Sequence, residues 1–180
     1  MKNIHTRTAV ILCGGKGSRL GLLGKKIPKC LVKINGYPII WYIINILKKN
    51  SFNHFILPTG YKGKMIKKFL KSNKALKNFN IEIIDTGLNT NIAKRIFLIK
   101  KKIISKNFLL LNGDVIFNFN LKKIYQKHIR KRTDMTFIGS ENPLAYGTVG
   151  MIKNKIVSFD RNITFNSVKV KSRVNFTAHV

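Results

Sequence analysis

Thr8-Ala9-Val10-Ile11-Leu12-Cys13-Gly14-Gly15-Lys16-Gly17-Ser18-Arg19-Leu20 is the stretch on which the reading of this chain turns. Its first six residues are apolar or β-branched without a break, as in a strand buried on both faces. Glycines at 14, 15 and 17 then let the backbone turn tightly and aim its N–H groups at an anion. Lys16 and Arg19 add positive charge, and the Arg19 fork suits two phosphate oxygens at once. Two familiar phosphate loops do not match. A dinucleotide fingerprint needs a glycine where Leu20 stands. A Walker loop needs Gly, four residues, then Gly-Lys-Ser or Gly-Lys-Thr, and neither this loop, Gly24-Lys25 nor Gly63-Lys64 provides it. A glycine pair alone would suit a plain strand-to-helix turn. Three glycines with Arg19 after a buried strand favour an anion site.

Outward from this loop, short β-rich runs alternate with helical spacing. Leu31–Ile34 precedes the turn pair Asn35-Gly36. Pro38 suits the first turn of a helix running over 39–49. Phe52–Leu57 is a strand, Tyr61–Lys71 a helix with lysines on its outer face, and Ile81–Ile84 a strand. Ile92–Ile103 carries apolar residues at 92, 96, 99 and 103, one helix face. Asn107–Leu111 is a strand ending in Asn112-Gly113-Asp114, Leu121–Arg130 a helix and Met135–Ile138 a strand. Beyond Glu141 the pattern changes to strands, Tyr146–Ile152 and Lys155–Phe159, joined near Asn154. This alternation predicts an α/β sheet with helices on both faces. Ligands on such sheets sit at the carboxyl ends of strands, where the glycine loop and Asp114 both fall.

Three further segments bear on chemistry. In Ile27-Pro28-Lys29 the proline fixes the chain just before a lysine, which near the glycine loop could neutralise a reacting phosphate. Asp114, behind a glycine at a strand end, is placed for a divalent cation on a polyphosphate or for a turn cap. Asp85 also ends a strand, and a structural or substrate-positioning role suits it. His128 shares a helix face with Leu121, Ile124 and Tyr125, the setting of a partly buried helix residue. His5, His54 and His179 have no partner pattern.

Composition bounds the rest. A chain of 180 residues suits one domain with one core. No apolar run approaches the roughly 18 residues that span a membrane. The short run at 9–13 leads into a glycine loop, not a cleavage site, which argues against a signal peptide. Cys13 and Cys30 have no metal-ligand spacing, and free thiols suit a reducing cytoplasm. Thirty-five Lys and Arg against six acids give a net charge of +29. Such charge attracts anions. The lysines are spread along the chain among abundant Ile and Asn, which favours compositional drift over nucleic-acid binding, and no nucleic-acid motif accompanies them.

In this order, the motifs resemble the sugar-1-phosphate nucleotidyltransferase family. Leu12-Cys13-Gly14-Gly15-Lys16-Gly17-Ser18-Arg19-Leu20 matches its opening Leu-Ala-Gly-Gly-x-Gly-Thr/Ser-Arg-Leu, with cysteine for alanine. Pro28-Lys29, Gly36-Tyr37-Pro38-Ile39 and Asn112-Gly113-Asp114 match its later phrases. Gly60-Tyr61-Lys62-Gly63 and Asp85-Thr86-Gly87-Leu88-Asn89-Thr90 are similar to the glucose-1-phosphate cytidylyltransferase branch. That branch continues Thr-Gly-Gly-Arg, and here Ile92-Ala93-Lys94-Arg95 keeps only the arginine. Tyr146-Gly147-Thr148-Val149 is more similar to the manno-heptose guanylyltransferase branch, so the base stays open.

The resemblance implies a Rossmann-like three-layer sandwich with a mostly parallel central sheet, the nucleotide-diphospho-sugar transferase fold. It implies that a sugar 1-phosphate attacks the α-phosphorus of a nucleoside triphosphate, CTP favoured, and that pyrophosphate leaves, a step in making surface polysaccharide precursors. Arg19 and Lys29 would be the catalytic pair, on the pyrophosphate and the α-phosphate. Leu12, Gly14, Gly15, Lys16, Gly17, Ser18, Thr90, Arg95 and Gly113 would line the nucleotide and sugar pocket, and Asp114 would hold Mg²⁺. No membrane partner is implied, and a homo-oligomer is left open. The likeness covers about residues 8–159, and Val174-Asn175-Phe176 resembles the start of the next family strand. Residues 1–180 would then form a single nucleotidyltransferase domain without the family's C-terminal part, its second metal aspartate and much of its sugar pocket. A binding relative without turnover is the alternative, and a basic nucleic-acid-binding protein a lesser one.

Overall fold

Thr8, Ala9, Val10 and Ile11 are wholly enclosed, and the other elements of the first part of the chain are arranged around them. In chain order these are β1 (Thr8–Leu12), α1 (Gly21–Lys26), β2 (Lys33–Ile34), β3 (Tyr37–Pro38), α2 (Ile39–Lys49), β4 (His54–Thr59), α3 (Gly63–Ser72), β5 (Asn80–Asp85), α4 (Ile92–Ile99) and β6 (Phe108–Asn112). The computed structural model describes residues 6–139, 148–160 and 176–179. Two compact units divide the chain, Met1–Lys122 and Lys123–Val180.

The first unit holds a four-stranded sheet in the order β5-β4-β1-β6, parallel throughout. Parallel neighbours need a crossover, which is why helices alternate with strands here. The chain winds outward from β1 to β4 and β5, then returns to lay β6 on the other side of β1. The order therefore reverses between β1 and β6, the switch point where open α/β sheets bind ligands. On one sheet face Val10 and Ile56 pack with Ile99 of α4, joined by Leu12, Ile84 and Ile103. On the other, Ala9, Ile11, Phe55 and Leu57 are equally buried. The α2 stripe Ile40, Ile43, Ile44 and Leu47 is buried as its spacing requires.

Element ends differ from expectation where backbone chemistry intervenes. Leu31 belongs to a 3-10 turn, Lys29–Leu31, so only Lys33–Ile34 pairs as a strand. The Asn35-Gly36 turn has φ of 46° and 83°, the positive pair that a two-residue hairpin demands. Pro38 stands one residue outside α2 with extended ψ of 147°. Lys62 adopts a left-handed φ of 52°, so α3 starts at Gly63. The helix expected over 92–103 ends at Ile99 and continues as a 3-10 turn over Lys100–Lys102. Helix α1 was not foreseen, since glycines at 21 and 24 make its six residues poor helix formers.

At the amino ends of the strands lies a polar chain. Glu82 Oε1 only accepts, so His54 Nε2 donates to it at 2.9 Å. In the neutral ring Nδ1 then accepts from the Thr8 hydroxyl at 3.1 Å. Lys102 Nζ pairs with the other Glu82 oxygen at 3.0 Å. Burial works against the Glu82 carboxylate, but hydrogen bonds from His54 and Lys102 outweigh it and hold its pKa below the usual value. A folded pKa below the unfolded one gives stability that is complete above the unfolded value and lost as pH falls through the folded one. Glu82→Gln is therefore expected to cost about 1 kcal/mol at pH 7, discounted for partial exposure. Urea unfolding of variant and wild type should converge only as pH falls through the lowered pKa of folded Glu82. A gap that persists in acid would show that charge is not its source.

The second unit contains most of α5 (Leu121–Lys131), then β7 (Met135–Ile138), β8 (Thr148–Ile152), β9 (Lys155–Asp160) and β10 (Phe176–His179). β7 and β10 pair in parallel, and β8 and β9 form an antiparallel hairpin. His128 Nδ1 meets the hydroxyls of Thr133 and Thr136 at 3.0 and 2.9 Å, so it ties α5 to the turn that follows and to β7. His5, Glu141, Tyr146, Gly147, Val174 and Asn175 lie outside the described residues.

Candidate functional site

A cleft of about 950 Å³ opens at the carboxyl ends of β1 and β6. That size suits a nucleotide. Every residue singled out for the site lines it: Leu12, Gly14, Gly15, Lys16, Gly17, Ser18, Arg19, Lys29, Thr90, Arg95, Gly113 and Asp114. The structure adds Cys13, Cys30, Leu88, Asn89, Asn91, Ile92 and Ala93. Cys13, Leu88, Asn89, Ile92 and Ala93 stand inside the quoted motifs but carried no role there, and no motif marked Cys30 or Asn91.

The glycine loop is tethered from below. Cys13 N–H donates to Pro58 O at 3.1 Å, and Tyr61 N–H to Gly14 O at 3.3 Å. Gly17 turns the chain with φ 65° and ψ 34°, a left-handed conformation open to glycine. Its carbonyl accepts from Leu20 N–H at 2.9 Å, closing a 3-10 turn. Helix α1 has no side-chain cap of its own. Tyr61 Oη donates to Gly24 O at 3.2 Å, and Lys62 Nζ to Lys26 O at 2.8 Å and to Lys25 O. A lysine on the last carbonyls offsets the negative end of the helix. The Tyr61-Lys62 turn after β4 thus holds both the loop and the helix behind it.

Lys29 and Asp114 meet in an ion pair, their side chains 38% and 22% exposed. Gly113 brings them together. Its N–H donates to Leu12 O at 3.0 Å, hooking the end of β6 onto β1. A Cβ at Gly113 would lie 2.7 Å from Cys13 Sγ and 3.3 Å from Cys30 Cβ. The hydrogen bond to Cys30, together with burial, pushes the Cys13 thiol well above its ordinary pKa. It is a protonated floor to the cleft and not a nucleophile.

Arg95 is buried, with its guanidinium against the loop. A Cβ at Gly14 would come within 2.3 Å of its Cζ. Burial pulls its pKa below the ordinary value, while Asp85 pulls the other way. Thr90 donates its hydroxyl to Thr86 O. Asp85 accepts from Gly87 N–H at 2.9 Å, an Asx turn that gives it a structural role. Asn91 caps α4 by accepting from Lys94 N–H at 2.9 Å. That cap accommodates Ile92-Ala93-Lys94 where the resemblance has Thr-Gly-Gly.

Among the described residues, no group of three or more His, Cys, Asp or Glu is placed to hold a metal ion. Asp114 is the carboxylate on the cleft wall. A single carboxylate suits Mg²⁺, which keeps waters and takes substrate phosphate oxygens, and does not suit a protein-only cage. No helix among these residues is long and apolar enough to cross a membrane.

Fold and cleft together define an α/β protein with a cleft lined by a glycine loop, Lys16, Arg19 and Lys29 at the switch point of its sheet. Residues 8–160 match the nucleotidyl transferase family, and the chain belongs to that family. It is 35% identical to a probable glucose-1-phosphate cytidylyltransferase of Bacillus subtilis, over 78% of this chain and 63% of that protein. It is 31% identical to the D-glycero-α-D-manno-heptose 1-phosphate guanylyltransferase of Aneurinibacillus thermoaerophilus, over 84% and 66%. The chain thus spans just under two thirds of the length of these relatives. The crystal structure of HddC from Yersinia pseudotuberculosis complexed with GMP-PN superposes with a TM-score of 0.68 at 26% identity, covering 88% of this chain and 72% of that one. UDP-glucose pyrophosphorylase complexed with UDP-glucose shares the fold, with a TM-score of 0.66 at 13% identity over 88% of this chain and 69% of that one. The central sheet and its helices are those of the nucleotide-diphospho-sugar transferase fold.

Proposed function

We propose that the cleft joins a nucleoside triphosphate, CTP by preference, to a sugar 1-phosphate, giving a nucleoside diphosphate sugar and pyrophosphate. One observation carries this reading: the glycine loop, Lys29 and Asp114 converge at the switch point between β1 and β6. The attacking phosphate oxygen is already ionised, so no general base is needed. Positioning and charge neutralisation do most of the work.

The N–H groups of Gly14, Gly15 and Gly17 hold the triphosphate, helped by Lys16 and Ser18. Arg19 takes the departing pyrophosphate and Lys29 the α-phosphate. Without ligand, Lys29 and Asp114 neutralise each other. On binding they exchange partners, so each charge is in place before the reaction. Asp114 would hold Mg²⁺, which when bound would shield the triphosphate oxygens from the incoming anion. Leu12, Thr90, Arg95 and Gly113 border the base and sugar. We place the activity in the cytoplasm, in the supply of precursors for surface polysaccharide, with both units belonging to one nucleotidyltransferase domain.

CTP is supported by the Asp85–Thr90 stretch and by the likeness to the Bacillus subtilis protein. The full chain should be tested with each of four triphosphates against glucose, mannose and manno-heptose 1-phosphates. Pyrophosphate release with CTP and glucose 1-phosphate, dependent on magnesium, is expected. Faster release with GTP would move the chain to the guanylyl branch. No release with any pair, despite triphosphate binding, would reject turnover and leave a binding relative.

A further inference from the structure

Arg95 is 5% exposed. Among the described residues no carboxylate forms an ion pair with it. Its guanidinium instead faces neutral acceptors. Nη1 donates to Thr59 O at 2.8 Å and to Thr86 Oγ1. Nη2 donates to Gly14 O at 3.3 Å and Leu88 O at 3.5 Å. Thr59 ends β4, Thr86 and Leu88 follow β5, and Gly14 follows β1. One planar group therefore stitches together three strand ends. The fit is close on both sides: a Cβ at Gly60 would lie 3.0 and 3.1 Å from Nη2 and Nη1, and one at Gly14 even nearer.

The Gly14 carbonyl is the informative partner, because it accepts from both Arg95 and the Tyr61 N–H. In a trans peptide, the carbonyl of one residue and the N–H of the next point opposite ways. Two donors that draw Gly14 O into the scaffold must turn the Gly15 N–H away from it. A Gly15 Cβ would meet nothing within 4 Å, and Gly15 lines the cleft.

We infer that Arg95 is a positioning residue: it clamps the Gly14 carbonyl so that the Gly15 amide is aimed into the cleft at an anion before the anion arrives. This differs from the direct nucleotide contact implied by the family resemblance. It also gives the buried charge a use, since a guanidinium without an ion pair, only partly offset by Asp85, raises the positive potential where phosphate would sit. Naming that anion as a triphosphate rests on the proposed function. The clamp itself does not.

The experiment separates the two. Arg95→Lys keeps the charge, but one ammonium cannot bridge three strand ends. Backbone ¹⁵N relaxation on the ligand-free full chain should give Gly15 and Lys16 order parameters near about 0.85 in the wild type and below about 0.6 in the variant. The Tyr61 amide, which the Gly14 carbonyl protects, should exchange about tenfold faster, while β1 and β4 amides hold. Inorganic tripolyphosphate, followed by calorimetry, should bind about tenfold to a hundredfold more weakly. Should Arg95→Lys fail to fold, Thr86→Val at nearly constant shape removes the hydroxyl that accepts from Arg95 and donates to Thr59 O at 2.7 Å, and should loosen the same amides to a smaller degree. An unmoved loop in whichever variant folds, or loosening spread evenly over the sheet, would overturn the clamp. Failure of the wild type to bind tripolyphosphate would overturn the nucleotide reading instead, and the relaxation data would still decide the clamp.

Discussion

Asp114→Asn should lower nucleotidyl transfer by roughly a hundredfold to a thousandfold, while metal-free triphosphate should bind no more weakly than to the wild type. The two effects have opposite causes. Asp114 is the carboxylate that lines the cleft, so on the proposed function its loss would remove the protein's anchor for Mg²⁺. The same change releases Lys29 from its ion pair and leaves the pocket more positive, which favours a bare polyphosphate. Lys29→Met reverses the pattern. It leaves a carboxylate facing incoming phosphate, and binding should weaken about tenfold even without metal, beside a large loss of turnover. Calorimetry with a non-hydrolysable triphosphate in EDTA, set beside pyrophosphate release in magnesium, reads both. If Asp114→Asn weakened metal-free binding as much as turnover, the residue would be a structural cap and not a metal ligand.

The ion pair also shows how far the sequence could be followed. Asn112-Gly113-Asp114 and Pro28-Lys29 lie more than eighty positions apart, yet each could be placed at a strand end or beside the loop. Uninterrupted apolar runs such as Ala9–Ile11 are legible because a parallel sheet buries both faces of its strands. The α2 stripe is legible because one helix face meets the core. The contact between the two motifs was not legible, since it depends on β6 lying beside β1 and on Gly113 packing against Cys13 and Cys30. Arg95 was found by likeness and given a pocket role. Its partners are mostly main-chain oxygens, which every residue carries and no motif can mark. The Tyr61-Lys62 turn was marked only as part of a family phrase, and its tethering role escaped for the same reason: both side chains act on the carbonyls of α1.

Gly24→Ala should leave the fold in place and cost roughly a hundredfold in triphosphate use. In the sequence this glycine signified only a failed Walker loop. In the structure it is the seat of the loop, since a Cβ there would lie 2.5 Å from the Gly17 carbonyl oxygen. That neighbour is backbone and cannot swing aside. Gly17 also holds a left-handed turn and accepts from Leu20 N–H, so relief must come from moving the loop as a body. Two stability terms then oppose each other. Alanine favours the helical backbone of α1 by about 1 kcal/mol over glycine. Overpacking costs about 1–3 kcal/mol. Their sum is a modest net loss, visible as a small shift in thermal unfolding. Positioning is far less forgiving, because a displacement of about 1 Å in groups that hold a reacting phosphate costs about a hundredfold. The variant should therefore separate stability from function, with a melting curve near that of the wild type and triphosphate binding and turnover both collapsed. Lys25→Ala is the control: its side chain is exposed, and only its backbone carbonyl contacts Lys62. Equal loss in both variants would mean that α1 as a whole, and not the Gly17–Gly24 contact, sets the loop.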